Sequence, residues 1–362
     1  MDTTSTKLSI AIIGTGLIGP RHAQSVLSNP HTSLDSITDP SPHAVSLASS
    51  LNTKYFPSIT DLLSSNPLPE AAIVCTPNNT HIPLSLQLIN AGIPVLVEKP
   101  ISTSIEDGKR LVDAAKEKDV PLLVGHHRRF NPYLLSAKKS LDEKKLGKAI
   151  AVQGTWCLKK PSSYFSGIGE WRKGPDGGTV FINLIHEVDL LQYLLGPIVF
   201  ISALETSKTR GFEAEEGAAI LMRFESGVVG TFVLSDACPG PWNFEAGTGE
   251  NPMIPHVPST SGAGGFYRIM GTEASLSVPD LKIWRNERWD EVLGVEDLEV
   301  DREKVPFDVQ VQHFFEVVKE GKTPNCSGEE ALRAMVVCEG VRRSMKSGRA
   351  VEIRGFEILE NI

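Results

Sequence analysis

The chain has 362 residues, of which 41% are hydrophobic and 22% are charged, and its formal net charge is −8. These values are typical of a soluble globular protein with room for two ordinary domains, and they exclude a disordered chain. The acidic balance and the absence of a run of Lys and Arg argue against a nucleic-acid partner. No apolar stretch reaches membrane-spanning length and the polar start does not resemble a signal peptide, so we expect a cytoplasmic protein.

The five cysteines do not form a pattern typical of disulfides or metal sites. Their number is odd, and no two of them have the spacing of a CxxC motif; they are Cys75, Cys157, Cys238, Cys326 and Cys338. We therefore expect reduced, mostly buried thiols. No cluster of His and Cys has metal-ligand spacing, so no metal cofactor is predicted.

The first part of the chain alternates short apolar runs with helical segments. Strands are predicted at 8–13, 34–38, 71–75, 95–97 and 121–124, with helices between them. This order is typical of βαβ units around a parallel sheet. We predict an α/β Rossmann domain that binds a dinucleotide and spans residues 1–125.

The rest of the chain, 126–362, has a different pattern. A half-exposed strand is predicted near 149–158 and a strong helix at 180–195. Further strands follow between 198 and 285, and two helices precede a last strand at 351–353. Several consecutive strands with one main helix favour an α+β domain with a large open, mostly antiparallel sheet. We assign substrate binding and oligomerisation to it, and regard 238–265 as a long loop of lid or binding type.

A glycine-rich turn follows the first strand. In Gly14-Thr15-Gly16-Leu17-Ile18-Gly19, the first glycine permits a tight turn, the second lets the backbone approach a pyrophosphate, and the third permits close packing of helix on strand. The following helix offers free N–H groups to the phosphates. Asp39, twenty residues further on, can accept the ribose hydroxyls and would repel a 2′-phosphate. No Arg or Lys follows it closely, so the cofactor is predicted to be NAD, with NADP possible.

Two more motifs follow apolar strands. Thr76-Pro77-Asn78, with His81 three residues later, lies where doubly wound sheets bind ligands. A proline turn that caps the next helix is the alternative, and both interpretations can hold together. Glu98-Lys99-Pro100 follows the run 93–97. The cation of Lys99 can stabilise a developing alkoxide there, so Lys99 is a candidate catalytic residue.

The helix at 180–195 carries the candidate proton acceptor. Its core stripe at helical spacing consists of Phe181, Leu184, Ile185, Val188, Leu191 and Leu195. Asn183 and His186 are three residues apart and are expected to share the other face. His186 can take the proton that leaves a hydroxyl group during hydride transfer. A purely structural role for this histidine remains the alternative.

Together these motifs resemble the Gfo/Idh/MocA family, the relatives of glucose-fructose oxidoreductase and inositol dehydrogenase. The resemblance covers nearly the whole chain and is weakest at 238–265. Its further matching pieces are Asn79-Thr80-His81, His127-Arg128-Arg129-Phe130, Trp171-Arg172 and Gly177-Gly178.

The resemblance implies site roles for individual residues. Lys99 and His186 would assist hydride transfer at a carbon that bears oxygen, while Glu98 and Pro100 shape their turn, with a cis Lys99–Pro100 bond allowed. The implied cofactor contacts are Gly14, Gly16, Leu17, Ile18, Gly19, Asp39, Thr76, Pro77, Asn78, His81, Glu98, Lys99, Pro100 and Arg128. The implied substrate contacts are His127, Tyr164, Trp171, Arg172, Asn183 and His186, and packing at a domain seam is an equal alternative for the two aromatic residues. Trp242 and His256 are weaker candidates, and His22 and His313 are expected to be ordinary helix residues.

Two positions depart from the family pattern. Many members have an aspartate four residues before the histidine, where this chain has Ile182, and Asn183 follows it. An amide can orient a hydroxyl group but cannot take its proton, so the acid–base role falls on His186 with Lys99. His126-His127 also stands where an aromatic residue and asparagine are common, which leaves a structural role for His127 open.

The main hypothesis is an NAD(H)-dependent oxidoreductase that transfers hydride to or from a hydroxyl- or carbonyl-bearing carbon of a small cyclic or polyhydroxylated substrate, such as a sugar or cyclitol. One alternative is a reductase of a cyclic imine or enone in specialised metabolism. Another is a non-catalytic dinucleotide-binding sensor, which the presence of both Lys99 and His186 disfavours. The resemblance further implies a homodimer or homotetramer formed through the open sheet.

Overall fold

The computed structural model describes residues 7–258 and 264–360. These residues divide into two compact units. The first contains residues 7–131 and 303–332, and the second contains the described residues of 132–302 and 333–360. Within the described part of the chain, no helix is both long and apolar enough to cross a membrane.

The first unit contains a parallel sheet of six strands. They are β1 (Leu8–Ile13), β2 (Thr32–Thr38), β3 (Lys54–Phe56), β4 (Ala71–Val74), β5 (Val95–Val97) and β6 (Leu122–Val124). Their spatial order is β3-β2-β1-β4-β5-β6, the order of a Rossmann fold. Every residue of β4 and β5 is buried, as expected for parallel strands that are covered on both faces. Since β1, β4 and β5 are neighbours, the turns at their carboxyl ends lie side by side at one edge of the sheet.

Helices connect these strands. They are α1 (Gly19–Ser28), α2 (Pro42–Ser50), α3 (Ile59–Leu63), α4 (His81–Asn90) and α5 (Ile105–Glu117). Short 3-10 turns at Asn78–Thr80 and His127–Phe130 follow β4 and β6. The predicted Rossmann architecture is thus confirmed, and the short strand β3, with only three half-exposed or exposed residues, is the element that the pattern did not reveal.

The second part of the chain contains the remaining elements. Its helices are α6 (Pro132–Asp142), α7 (Ile185–Leu195), α8 (Phe244–Thr248), α9 (Pro306–Glu320) and α10 (Gly328–Ser347). Its strands are β7 (Ala149–Cys157), β8 (Ile198–Glu205), β9 (Gly217–Phe224), β10 (Val229–Ser235), β11 (Tyr267–Gly271), β12 (Ser275–Val278), β13 (Lys282–Arg285), β14 (Gly294–Asp297), β15 (Val351–Arg354) and β16 (Glu357–Glu360).

These strands form a ten-stranded sheet in the order β14-β13-β12-β11-β7-β10-β9-β8-β15-β16. The pair β7–β10 is parallel and the other pairs are antiparallel, so the predicted large, mostly antiparallel sheet is confirmed. Residues of β9 and β10 alternate between buried and exposed, which leaves one face of the central strands open to solvent. The terminal strands β14 and β16 were not predicted because their residues are mostly exposed and half of them are charged.

The division of the chain differs from the expected boundary at residue 125. Residues 303–332 return to the first unit, because α9 completes its core. Val311, Phe314 and Phe315 of α9 are buried in one cluster with Leu8 and Ile10 of β1. An amphipathic helix cannot be assigned to either of two units from its own pattern, so the sequence did not reveal this return.

Candidate functional site

The glycine turn after β1 has the geometry of a dinucleotide-binding loop. Gly14 has φ +99°, and a Cβ atom there would lie 2.8 Å from the carbonyl group of Cys75. A Cβ atom at Gly19 would lie only 2.1 Å from the carbonyl oxygen of Gly14, whereas one at Gly16 would have no atom within 4 Å. The first and third glycines therefore hold the turn together, and the second leaves open space beside the backbone.

The two residues between the second and third glycines face solvent, whereas Thr15, between the first and second, is buried. Leu17 is 97% exposed and Ile18 is 36% exposed, and α1 begins at Gly19 with Pro20 in its first turn. The start of α1 carries no side-chain cap, so its first N–H groups are available to an anion.

Asp39, at the end of β2, is tied to the glycine turn. One carboxylate oxygen accepts the backbone N–H of Thr15 at 2.7 Å, and the other accepts that of Ser41 at 2.7 Å. Burial alone would raise the pKa of Asp39, but the hydrogen bonds from Ser41 and Thr15 outweigh it, and the pKa lies below its ordinary value. Asp39 is thus held as an anion beside the turn.

The turn after β4 is joined to the turn after β5 by His81. This fully buried ring has Nδ1 at 2.8 Å from the carbonyl oxygen of Pro100 and Nε2 at 2.9 Å from that of Thr76. A neutral imidazole has one N–H and satisfies one carbonyl, whereas an imidazolium satisfies both. Burial lowers the pKa of His81, and the two carbonyl contacts and Glu98 oppose this. Pro77 and Asn78 complete the first turn, in which the Thr80 hydroxyl donates to the Pro77 carbonyl.

The Glu98-Lys99-Pro100 turn follows β5 directly. The Lys99–Pro100 peptide bond is cis, as the resemblance allows. The backbone N–H of Lys99 donates to the Glu98 carboxylate at 3.2 Å, and the other oxygen of that carboxylate lies 2.8 Å from Nε2 of His22. Glu98 is 8% exposed, so this turn is built around a buried acid.

The motif after β6 consists of a histidine that stacks on an aromatic ring and two buried arginines. The ring of His127 stacks on Phe307 of α9 with centroids 4.5 Å apart. Arg128 is buried, and Arg129 is almost fully buried, where it donates to the carbonyl oxygen of Asn325 and to Glu330. Arg129 therefore joins this turn to the chain that returns at 303–332.

In the second unit, the segment with the candidate proton acceptor begins as a π-helix. Val180–Leu184 form this wider turn before α7, and π-turns are frequent at functional sites. Asn183 lies in it and accepts a hydrogen bond from the Thr179 hydroxyl at 3.3 Å. Asn183 and His186 are buried, with exposures of 8% and 7%. Nine residues of α7 are buried, including charged ones, so this helix does not have the single buried face that the spacing predicted.

Glu215 holds the start of the π-helix. Its carboxylate accepts the backbone N–H of Val180 at 3.1 Å, and its backbone carbonyl accepts that of Thr179. A Cβ atom at Gly178 would lie 1.9 Å from this carboxylate, which explains the glycine at that position. Burial raises the pKa of Glu215 above its ordinary value.

Tyr164, Trp171 and Arg172 lie together in the second unit. The Arg172 guanidinium lies 4.1 Å from the Tyr164 ring centroid and 5.3 Å from that of Trp171, and it donates to the Tyr164 carbonyl at 2.9 Å. Burial raises the pKa of Tyr164, against the opposing effect of Arg172. Trp171 is 54% exposed, so the cluster has an aromatic surface open to contact.

The remaining candidates have structural partners. The Nδ1 atom of His256 lies 2.9 Å from the carbonyl oxygen of Ala246, and Trp242 is partly exposed. The long segment around them contains α8, whose first turn is capped by the Asn243 side chain. His313 receives the backbone N–H of Asn325 on Nε2. Within the described residues, no group of three or more His, Cys, Asp and Glu side chains is arranged to hold a metal ion.

Sequence reasoning expected His22 to be an ordinary helix residue, and it did not single out Glu215 or a set of buried acids. The Tyr267 hydroxyl donates to Glu187, and the Trp156 indole donates to Glu245 at 2.9 Å. A signal for His22 was present, because it lies three residues after Gly19 and therefore shares the helix face that packs on β1. Nothing in the local sequence marks Glu215, whose partner is 35 residues away.

Comparison with known proteins shows the family. Residues 8–126 match the model of the Gfo/Idh/MocA oxidoreductase family, NAD-binding Rossmann fold, and residues 138–353 match its C-terminal α/β domain. The scyllo-inositol 2-dehydrogenase (NAD(+)) of Bacillus subtilis is 25% identical over 359 residues, which are 95% of each chain.

Solved structures share the fold. An oxidoreductase from Agrobacterium radiobacter, in complex with NAD+, L-tartaric acid and magnesium, has a TM-score of 0.80 at 17% identity, covering 96% of this chain and 98% of that one. The WlbA dehydrogenase from Bordetella pertussis, in complex with NADH and UDP-GlcNAcA, has a TM-score of 0.74 at 22% identity, covering 96% and 99%. The chain therefore belongs to the Gfo/Idh/MocA family and is an NAD-binding oxidoreductase.

Proposed function

We propose that the protein is a dehydrogenase that oxidises a ring hydroxyl group of a small cyclitol or sugar. The observation that carries this proposal is the position of the Glu98-Lys99-Pro100 turn. It lies at the carboxyl end of β5, on the same edge of the parallel sheet as the glycine turn after β1, with only β4 between the two strands. The names of relatives support the substrate class: besides the scyllo-inositol enzyme, a myo-inositol 2-dehydrogenase from Thermotoga maritima is 22% identical over 355 residues, 96% of this chain and 98% of that one.

Three side chains would carry the chemistry. The ammonium group of Lys99 stabilises the negative charge that develops on the substrate oxygen, and His186 takes the hydroxyl proton on a ring nitrogen. Asn183, held by the Thr179 hydroxyl, binds a neighbouring hydroxyl group. In the reverse direction, His186 returns the proton to the oxygen of the carbonyl group. NAD supplies the hydride acceptor when it is bound.

The cofactor would be held by the turns at the sheet edge. Gly16 leaves room for a pyrophosphate, the start of α1 provides N–H groups, and Asp39 accepts the ribose hydroxyls. The anionic state of Asp39 disfavours a 2′-phosphate, so we infer a preference for NAD over NADP. Leu17, Ile18, Thr76, Pro77, Asn78 and Arg128 complete the proposed set of cofactor contacts.

The aromatic cluster of Tyr164, Trp171 and Arg172 is proposed to contact the substrate ring, together with His127. Exposed aromatic surface next to a guanidinium group suits a ring that presents both C–H groups and hydroxyl groups. The alternative role of this cluster is packing against other parts of the protein. Turnover by Trp171→Ala distinguishes substrate contact from packing.

We further propose a homo-oligomer formed through the open face of the ten-stranded sheet. Leu204 of β8, Leu221 of β9, and Val229 and Val233 of β10 point to this face by strand register, and they are 46–69% exposed. A second copy of the same face would cover these side chains. Light scattering on wild type and Leu221→Arg tests this, because a smaller assembly is expected for the variant.

Turnover assays test the proposed chemistry. NAD reduction is measured with scyllo-inositol, myo-inositol, aldoses and, in reverse, cyclic imines with NADH. Lys99→Ala and His186→Ala should each lose about 100-fold or more in kcat while NADH still binds. The exposed Lys118→Ala serves as the control and should match wild type. Equal activity in the two site variants would overturn the mechanism, and cofactor binding without turnover of any compound would favour a sensor.

A further inference from the structure

His22 is completely buried in the first turns of α1, the helix that the glycine turn opens. Its Nε2 atom lies 2.8 Å from Oε1 of Glu98, 76 residues away in the chain. Its Nδ1 atom is buried and has no hydrogen-bond partner among the described residues. A buried histidine that is hydrogen-bonded to a carboxylate fixes the orientation of that carboxylate.

The opposite side of the Glu98 carboxylate is also confined. Its Oε2 atom accepts the backbone N–H of Lys99 at 3.2 Å, and a Cβ atom at Gly125 would lie 2.9 Å from the carboxylate. The acid therefore fits between the ring of His22, the backbone of Gly125 and the peptide group of Lys99. Rotation of the carboxylate away from His22 would break the contact with Lys99.

The charges around Glu98 favour its ionised form. Burial alone would raise the pKa of Glu98, but the hydrogen bond and charge of His22, followed by the charges of His127 and Lys99, hold it below its ordinary value. The titratable groups that interact with Glu98 come from five segments of the unit: His22, Cys75, His81, Lys99 and His127. An ionised carboxylate only accepts hydrogen bonds, so the ring of His22 must present its Nε2–H.

Phe307 of the returning helix α9 closes this arrangement. Its ring meets the edge of His22 with centroids 5.0 Å apart and stacks on His127 at 4.5 Å. The Arg21 guanidinium carbon lies 4.1 Å from the centroid of the Phe307 ring. The His22 ring thus has aromatic packing that restricts its rotation, which is needed if it is to hold the carboxylate in one place.

We infer that His22 is a positioning residue for hydride transfer: through Glu98 it fixes the backbone of Lys99 and so the place from which the ammonium group acts. The inference rests on the proposed role of Lys99. Nε2 of His22 holds Oε1 of Glu98, Oε2 of Glu98 holds the N–H of Lys99, and the Pro100 carbonyl on the other side of Lys99 is held by His81.

Three variants test this chain of contacts. His22→Leu removes the donor and leaves the Glu98 carboxylate without it. His22→Gln keeps an amide N–H at the same number of bonds from the backbone. Glu98→Gln removes the charge on which His22 acts. His313→Leu is the control, because it removes a partly buried histidine of the same unit whose partner is the Asn325 backbone.

The first readout needs no substrate. The protein is labelled with ¹⁵N-lysine, and the Lys99 amide signal is identified by its loss in Lys99→Arg. His22→Leu should shift this signal and raise the pH at which it titrates with Glu98, whereas His22→Gln and His313→Leu should leave both near wild type. An unchanged Lys99 signal in a folded His22→Leu protein would overturn the inference. If His22→Leu does not fold, a Lys99 amide signal in Glu98→Gln that matches wild type would overturn the inference.

The second readout is kinetic, with the panel compound that wild type turns over fastest. His22→Leu should lower kcat about 10-fold or more with a smaller change in KM for NAD, and the acidic limb of kcat should move to higher pH. In the Glu98→Gln background, His22→Leu should have no further effect. If His22→Leu has full kcat and the wild-type pH profile while Lys99→Ala is inactive, the positioning role of His22 is overturned and the proposed function stands. An active Lys99→Ala would instead overturn the proposed function.

Discussion

A Cβ atom added to Gly19 would lie 2.1 Å from the carbonyl oxygen of Gly14. No side chain fits in that distance, so the first turn of α1 rests directly on the backbone of the turn that precedes it. Gly16, between the two, has no atom within 4 Å of its Cβ position. The three glycines of one motif are thus needed for different reasons, two for the fold of the turn and one for the molecule that enters it.

Alanine at these two positions should separate folding from binding. Gly19→Ala should destabilise the protein by roughly 1–3 kcal/mol and weaken NADH binding, because the added methyl group displaces α1. Gly16→Ala should have the same unfolding temperature as wild type. It should nevertheless lose NADH affinity, because its methyl group fills the space proposed for the pyrophosphate. Thermal unfolding and fluorescence titration with NADH measure both quantities. Wild-type NADH affinity in Gly16→Ala would contradict the proposed phosphate position.

Asp39→Ala should relax the preference for NAD over NADP by about 10-fold or more, because hydrogen bonds to a charged group contribute about 1.5–3 kcal/mol. It should also weaken NAD binding, since the N–H groups of Thr15 and Ser41 lose their acceptor. Titration with both reduced cofactors measures the ratio of dissociation constants. Thr53→Ala is the control, because the Thr53 hydroxyl donates to the Leu34 carbonyl of β2, away from the turn. An unchanged ratio in Asp39→Ala would contradict the role of Asp39.

Glu215 makes the stability of the protein depend on pH in a defined direction. Its folded-state pKa is raised above that of the unfolded chain, so the folded protein binds more protons just above pH 4.5 and stability falls as pH rises through that window. Wild type should therefore lose stability relative to Glu215→Gln between pH 4.5 and 7.5 in urea unfolding. The stability of the exposed control Glu213→Gln should follow that of wild type at every pH. A difference in stability between wild type and Glu215→Gln that does not change with pH would contradict the prediction.

Removing the Glu215 side chain should cost more than changing its charge. Glu215→Ala leaves the buried N–H of Val180 without its acceptor and should destabilise the protein by roughly 1–3 kcal/mol. Because Val180 begins the π-helix that carries Asn183, kcat should fall as well. Urea unfolding and turnover on the same preparation separate the two effects, and a stable variant with unaltered kcat would show that Glu215 does not support this turn.

Thiol labelling should distinguish Cys238 from the other cysteines. All five are free, and Cys238 alone of them is exposed. Burial raises the pKa of Cys75, Cys157 and Cys338, which keeps these thiols in their unreactive form. The native protein should release one equivalent of chromophore from a disulfide reagent, and Cys238→Ser should release none. Five equivalents should appear after unfolding, and fewer would indicate oxidised thiols.

Patterns of short range predicted the architecture well. The run Leu8–Ile13, the glycine turn and the apolar strands β4 and β5 can each be predicted from a few consecutive residues. The family motifs single out Lys99 and His186 in the sequence alone. The positions of these elements in the sheets agree with that interpretation. The catalytic roles of the two residues stay predictions until the variants are measured.

What the sequence did not reveal depends on contacts between distant residues. The pairing of His22 with Glu98 and of Glu215 with Val180 requires the tertiary fold, and a histidine in a helix is otherwise uninformative. The π-turn at Val180–Leu184 likewise breaks the regular spacing from which the face of Asn183 was predicted. Weakly apolar edge strands such as β14 gave no periodic signal because their residues are exposed.

The return of residues 303–332 to the first unit has a consequence for the order of synthesis. Val311, Phe314 and Phe315 fill the core around β1, and Phe307 closes the surroundings of His22, but they follow β1 by about 300 residues. A nascent chain can pair its first six strands early, yet the first unit stays unfinished until nearly all of the second unit has left the ribosome. The two units therefore mature together.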